Sequence, residues 1–326
     1  MKRRNFLTLI GASAAAWPMV GHSEQGTVRL IGFVHSGSAD ANGHLTKAFR
    51  NGLADTGFTE GKNIGIEYRW ANGHYDQLPF LVTDLIARKV ELIAAPSLPA
   101  ALAAKAATTT LPIVFNMGAD PVAMGLVTNL ARPGGNITGI SSFFGALGGK
   151  RLELLRELLP RPATVGVLVN TSNPNAEAHL SSIETVARAV GQKLEVRKAT
   201  TADEIAAAFM AFVQQDVGAL LVSDDPFFTS MRDPIIALAA RHNLPAIYYF
   251  RDFVAAGGLA SYGSSAVEVY YQTGVYAGRI LKGAKPADLP ILQPTKFEMV
   301  VNLKTAKALG LVIPPSILAR VDEIIE

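Results

Sequence analysis

The chain has 326 residues, 49% hydrophobic and 17% charged, a composition that suits two ordinary globular domains and excludes a disordered chain. It contains no cysteine, which excludes disulfides, thiolate metal sites and cysteine nucleophiles. The sequence pI of about 9.0 suggests a basic protein. However, Lys2, Arg3 and Arg4 account for the whole formal charge of +3, and the first 23 residues hold no acid. The rest of the chain is charge-neutral, without the surplus of Lys and Arg that nucleic-acid phosphates demand.

Lys2-Arg3-Arg4 leads into Asn5-Phe6-Leu7 and a mostly apolar run to Val20, about 14 residues long. A basic head, an apolar middle and a small-residue exit form a secretory signal. The run is shorter than the roughly 20 residues that a spanning helix needs, and Pro18 interrupts it. Gly21-His22-Ser23 supplies small residues for cleavage after Ser23, so residues 1–23 are expected to be a removed signal. Arg3-Arg4-Asn5-Phe6-Leu7 also has the form of a twin-arginine signal, which leaves the export route open. Without a cysteine near the cut there is no lipid anchor, and the product is expected free in the periplasm.

Beyond the leader, strands are expected at 28–34, 64–70, 91–95 and 113–116. Helices at 42–56, 78–89 and 99–108 alternate with them, the first closed by Gly57. The plan repeats with strands at 164–169, 194–198, 219–222 and 246–249 and helices at 176–190, 202–214 and 233–242. Leu111-Pro112-Ile113-Val114-Phe115 is echoed by Leu244-Pro245-Ala246-Ile247-Tyr248. Such alternation implies parallel sheets covered by helices on both faces. The expected fold class is α/β, with two similar Rossmann-like lobes.

Pro133-Gly134-Gly135 marks a turn, and the strand after it is the first candidate connection between the lobes. Connections are expected near 134–142, 257–263 and 286–294, three crossings that make a hinge rather than a tether. Lobe 1 would then comprise 27–138 plus 262–288, with a returning helix at 266–282. Lobe 2 would comprise 139–258 plus 292–326, with a strand at 297–302.

Open parallel sheets bind ligands beyond the carboxyl ends of their strands. Those ends supply Ser36, Ser97 and Asn116 from lobe 1, and Asn170, Asp224 and Tyr248 or Tyr249 from lobe 2. Loops add Ser38, Asn173, Asn175, Phe227 and Phe228. Hydroxyls, amides, a carboxylate and aromatic rings are the inventory of a small-solute site. Ser97 precedes a helix start, where free amides fit a carboxylate; capping its own helix is the other role open to it. Asp224 fits a ligand ammonium, or a solvated turn beside Pro226. Phe227 and Phe228 fit stacking on an apolar or aromatic ligand, or packing at the lobe edge. Strand alternation sends Tyr248 and Tyr249 to opposite sides, so one of them is expected in the cleft. Tyr262, at the second connection, fits either hinge packing or ligand contact.

The six histidines are scattered without metal-ligand spacing. There is no Gly-x-Gly-x-x-Gly after the first strand, no P-loop and no Gly-x-Ser-x-Gly. His35 beside Ser36 is the one pairing that suggests catalysis, but neighbouring strand residues face opposite ways. No metal, cofactor or catalytic residue is expected.

Several stretches together resemble one family. They are Tyr68-Arg69-Trp70-Ala71-Asn72-Gly73, Pro112 to Phe115 through Asp120-Pro121-Val122, and Arg132-Pro133-Gly134-Gly135-Asn136-Ile137-Thr138-Gly139. Arg151-Leu152-Glu153-Leu154-Leu155, Gly257-Gly258-Leu259-Ala260-Ser261-Tyr262-Gly263 and Gln293-Pro294-Thr295-Lys296-Phe297-Glu298 belong with them. The chain is similar to ABC-transporter substrate-binding proteins related to tryptophan/tyrosine uptake, with the type I periplasmic-binding-protein fold. The resemblance implies a monomeric receptor that closes on a small organic ligand and delivers it to an importer permease. It also implies ligand contacts at Ser36, Ser97, Asp224 and the loop of Asn173. Asp225-Pro226-Phe227-Phe228 departs from the pattern of an amino-acid binder. A periplasmic hydrolase or isomerase on a similar fold, or a sensor subunit for a receptor kinase, are the alternative readings.

Overall fold

The computed structural model describes residues 29–142, 147–159 and 163–326. The expected signal at 1–23 lies outside them. The first lobe runs through β1 (Arg29–His35), α1 (Ala39–Asp55), β2 (Ile64–Trp70), α2 (Leu78–Ala87), β3 (Leu92–Ala95), α3 (Leu98–Ala107), β4 (Ile113–Met117) and β5 (Ile137–Ser141). These strands form one parallel sheet in the order β2-β1-β3-β4-β5. β3 and β4 are buried throughout because helices cover both faces, hence their unbroken apolar runs.

The second lobe begins with α4 (Gly148–Leu158), β6 (Thr164–Val169), α5 (Ala176–Ala189), β7 (Lys193–Lys198), α6 (Ala202–Gln214) and β8 (Ala219–Val222). Next come α7 (Pro226–Ser230), α8 (Arg232–Arg241), β9 (Ala246–Tyr248), α9 (Arg251–Ala255) and β10 (Ala260–Ser264). The chain then returns to the first lobe as α10 (Ala266–Leu281). It ends in the second lobe as β11 (Phe297–Asn302), α11 (Leu303–Ala308), α12 (Pro315–Leu318) and β12 (Glu323–Ile325). The second sheet has the order β12-β11-β10-β9-β8-β6-β7, parallel except where β11 runs against β10. The lobes are thus similar but unequal, with the carboxyl-terminal strands widening the second sheet.

Gly134 and Gly135 both adopt φ of 70°, as the turn requires. That turn feeds β5, which pairs with β4 in the first sheet as far as Ser141. The chain leaves the first lobe only after this residue. Tyr262 and its neighbours in β10 belong to the second sheet. The two crossing segments touch where the Ser264 hydroxyl donates to the Ser142 carbonyl at 3.3 Å. Leu292 still bridges to Ile140 of β5, so the third crossing follows it.

The return of α10 depends on small residues. Gly52 of α1 lies against the backbone of Tyr271, and Gly274 of α10 against that of Phe49. A Cβ on either glycine would stand 2.0 Å from a backbone oxygen. The helices therefore approach at a distance that no other residue permits. This contact clamps α10 onto the wall that supplies part of the cleft.

A Gly274→Ala substitution is expected to destabilise the fold by about 1–3 kcal/mol through overpacking, despite the better helix propensity of alanine. Gly43→Ala in the same pair of helices has open space around it and is expected to stabilise by about 0.5–1 kcal/mol. Thermal unfolding followed by circular dichroism checks both; equal melting of Gly274→Ala and wild type would contradict the clamp.

Candidate ligand-binding cleft

The carboxyl ends of β1, β3 and β4 face those of β6, β8 and β9 across the cleft between the lobes. A cavity of about 60 Å³ lies there, lined from the first lobe by residues including His35, Ser97, Asn116 and Tyr270, from a crossing by Ser142, and from the second lobe by Asn173, Asn175, Asp224, Thr229 and Phe250.

Ser97 occupies the cap position of α3, but its hydroxyl makes no capping bond. Instead it lies 2.7 Å from the Ser36 hydroxyl, and Ser36 N–H donates to it at 3.4 Å. The start of α3 thus keeps amides free of the serine side chain, next to a coupled pair of hydroxyls. Asn116 is steadied by donating to the Thr273 hydroxyl of α10 at 3.0 Å. His35 is not poised as a base toward Ser36. Gly37 N–H donates to its Nδ1 at 2.8 Å, which places the ring proton on Nε2, 2.8 Å from the Tyr270 hydroxyl. Burial lowers its pKa to about 3, so the ring is neutral.

On the opposite wall two carboxylates are adjacent and differently held. Asp225 accepts from Asn170 Nδ2 at 2.9 Å and Asn173 Nδ2 at 2.8 Å. It also caps α7 through Phe227 N–H at 2.8 Å and Phe228 N–H at 3.3 Å. Burial raises its pKa, and these donors work against the rise. Asp224 lines the cavity. Burial pushes its carboxyl up to about 7; the charge of Arg151 opposes this and that of Asp225 adds to it. Arg151 of α4 is fully buried and donates from Nε to the Tyr262 carbonyl at 2.8 Å. Burial lowers its pKa to about 10 while Asp224 acts the other way. His179, its neighbour in charge, is held neutral, its pKa lowered to about 3 by burial and then by Arg151.

Of the residues expected in the site, Ser97, Asn116, Asn173 and Asp224 line one cavity, and Ser36 supports it from behind through Ser97. Phe227, Tyr248 and Tyr262 stand elsewhere. Residues 226–230 form the short helix α7 rather than a loop, and this turn buries Phe227 and Phe228 together. The Phe227 ring presses on Gly73, whose Cβ would come within 2.8 Å of it. Tyr248 is 1% exposed and stacks on Phe253 at 4.6 Å, inside the second lobe. Tyr249 takes the side nearer the cleft, but as a brace. Its hydroxyl donates to the Asp225 carbonyl at 2.7 Å and lies 2.7 Å from that of Thr229. Tyr262 packs on Phe297 at 6.1 Å and on the second-lobe core.

Sequence reading missed Tyr270, Thr273, Phe250 and Arg151. Arg151 lies in one of the quoted family stretches, yet its burial beside Asp224 has no local signal. A larger cavity of about 540 Å³ sits at the hinge, lined by Glu268, Gln272, Gln293, Lys296 and Glu298 among others. It lies away from the strand ends that face each other across the cleft. Among the described residues no group of three or more His, Cys, Asp or Glu is placed to hold a metal ion.

Comparison with known proteins shows the family and the fold. The pattern of the family described as ABC transporter substrate binding protein matches residues 28–325. A tyrosine-binding protein of Clostridioides difficile strain R20291 is 30% identical over 265 residues, covering 81% of this chain and 76% of that protein. The crystal structure of an ABC domain in complex with L-Trp from Streptococcus pneumonia is 27% identical, covers 92% of this chain and 100% of its own, and superposes with a TM-score of 0.83. The ligand-free, open structure of a substrate-binding protein with adhesive properties from Clostridium difficile is 29% identical, with coverage of 91% and 99% and a TM-score of 0.64. More distant matches share the type I periplasmic-binding fold.

The raised pKa of Asp224 has a signed consequence. Between its ordinary value of 3.8 and about 7 the folded protein holds a proton that the unfolded chain has released. Its contribution to stability therefore declines as pH rises through that window. Denaturation midpoints for wild type and Asp224→Asn should diverge in favour of the variant from pH 4 to pH 8. A gap that does not change with pH would contradict the assignment.

Proposed function

We propose that this chain, which belongs to the family of ABC transporter substrate-binding proteins, is the exported receptor of an importer and captures an aromatic α-amino acid between its lobes. The observation that carries this reading is the division of charge across the cleft. One wall offers the Ser36–Ser97 hydroxyls and the start of α3, a setting for a carboxylate. The other offers Asp224, a setting for an ammonium. Phe250, Tyr270 and the neutral His35 ring supply apolar and aromatic surface between them. The tyrosine-binding relative and the L-Trp complex support the aromatic class.

The leader at 1–23 supports export to the periplasm, with cleavage after Ser23. Among the described residues no helix is long and apolar enough to cross a membrane. In this reading the first lobe, ending in β5 and completed by α10, and the second lobe, with β10 to β12, pivot on three connections and present the closed, monomeric form to a permease. The family supports that partnership and a binding role rather than turnover.

Titration calorimetry on the mature chain tests the proposal with L-tyrosine, L-tryptophan, tyramine and 4-hydroxyphenylpropionate. The amino acids should bind, and each analogue, lacking one charged group, should bind at least about tenfold more weakly. Asp224→Asn should weaken tyrosine by about 10–100-fold and leave the deaminated analogue nearly unchanged. Amino acids and analogues of equal affinity, or no binding at all, would overturn it.

A further inference from the structure

Asp225 receives one donor that does not belong to its own lobe. The Tyr75 hydroxyl, in the turn after β2, lies 3.0 Å from both carboxylate oxygens. The same hydroxyl accepts from Phe227 N–H at 3.1 Å. The Tyr75 ring packs against the apolar cores of both lobes. Around it the lobes meet closely. The Phe227 ring fills the space left by Gly73, whose φ of 88° also disfavours a side chain. Ser38 N–H donates to the Ser230 hydroxyl at 3.0 Å. Tyr75 is not among the residues lining the cleft cavity.

We infer that Tyr75 is a closure latch, a positioning residue whose hydroxyl on Asp225 sets how long the lobes stay shut around a ligand. This rests on reading the cleft as the ligand site. The cavity of about 60 Å³ holds a few waters, at roughly 10–15 Å³ for each, so an amino acid enters only when the lobes part. Parting breaks the Tyr75 bond but leaves Asp225 with Asn170, Asn173, Phe227 N–H and Phe228 N–H. The carboxylate is never left without donors, and the tyrosine hydroxyl passes to water. The contact therefore opens and re-forms without stranding a buried charge. The two neighbouring carboxylates divide the work: Asp224 faces the ligand and Asp225 fastens the lobes. Ligand affinity then scales with the closed fraction, whatever the ligand.

The test is Tyr75→Phe, which removes one oxygen and keeps the ring. Small-angle scattering of the ligand-free variant should show a larger radius of gyration than wild type. Stopped-flow binding should show dissociation about tenfold faster, by the same factor for tyrosine and tryptophan, with association not slowed. Ser230→Ala, which removes the acceptor of Ser38 N–H, should shift both readouts in the same direction by less. Unchanged scattering and dissociation in Tyr75→Phe would overturn the latch, as would a loss confined to one ligand. The scattering arm needs no ligand, so it decides the latch even if no amino acid binds and the functional reading fails.

Discussion

Two adjacent carboxylates, Asp225 buried and Asp224 half-buried at the cavity, stand just beyond the end of β8, and the rest of the cleft is arranged around that constraint. A buried carboxylate without partners is costly enough to unfold its surroundings or to take up a proton. The protein meets this cost in two ways. Asp225 is given side-chain amides, helix-start amides and a tyrosine hydroxyl. Asp224 is given the field of buried Arg151 and an opening to the cavity.

The two solutions make the carboxylates different in kind. Asp225 is saturated with donors and serves as a structural anchor. Burial pushes the Asp224 carboxyl up to about 7, against the opposing charge of Arg151. His35 and His179 are neutral, and buried Arg151 is a cation whose charge acts on Asp224. In the proposed function a ligand ammonium joins Arg151 as a positive partner of Asp224. The facing wall needs no formal charge, because paired hydroxyls and helix-start amides hold a carboxylate by dipoles. In the proposed function the site receives a zwitterion, with recognition at both ends.

Much of this was legible in the sequence because it follows from topology. Strand ends in parallel sheets gather at one edge, so Ser97, Asn116, Asn173 and Asp224 came together as expected from their positions after β3, on β4, after β6 and after β8. The aromatic assignments failed for a local reason. Asp225 caps a five-residue helix, which turns Phe227 and Phe228 inward where a loop would have exposed one of them. β9 stops at Tyr248, and Tyr248 and Tyr249 both belong to the second-lobe core, so neither lines the cavity. Arg151, Tyr270 and Tyr75 act through partners more than 70 residues away in the chain. No periodicity or motif reports such pairings, and that of Tyr75 with Asp225 exists only once the lobes meet.

The central claim is that a zwitterion is held between Asp224 and the Ser36–Ser97 pair. A crystal structure of the mature protein with L-tyrosine tests it most directly. The account predicts the ligand ammonium within hydrogen-bond distance of the Asp224 carboxylate, and the ligand carboxylate on Ser97 and the first amides of α3. Ligand bound in the hinge cavity beside Glu268 and Glu298, or bound in the cleft with its charged ends reversed, would contradict it.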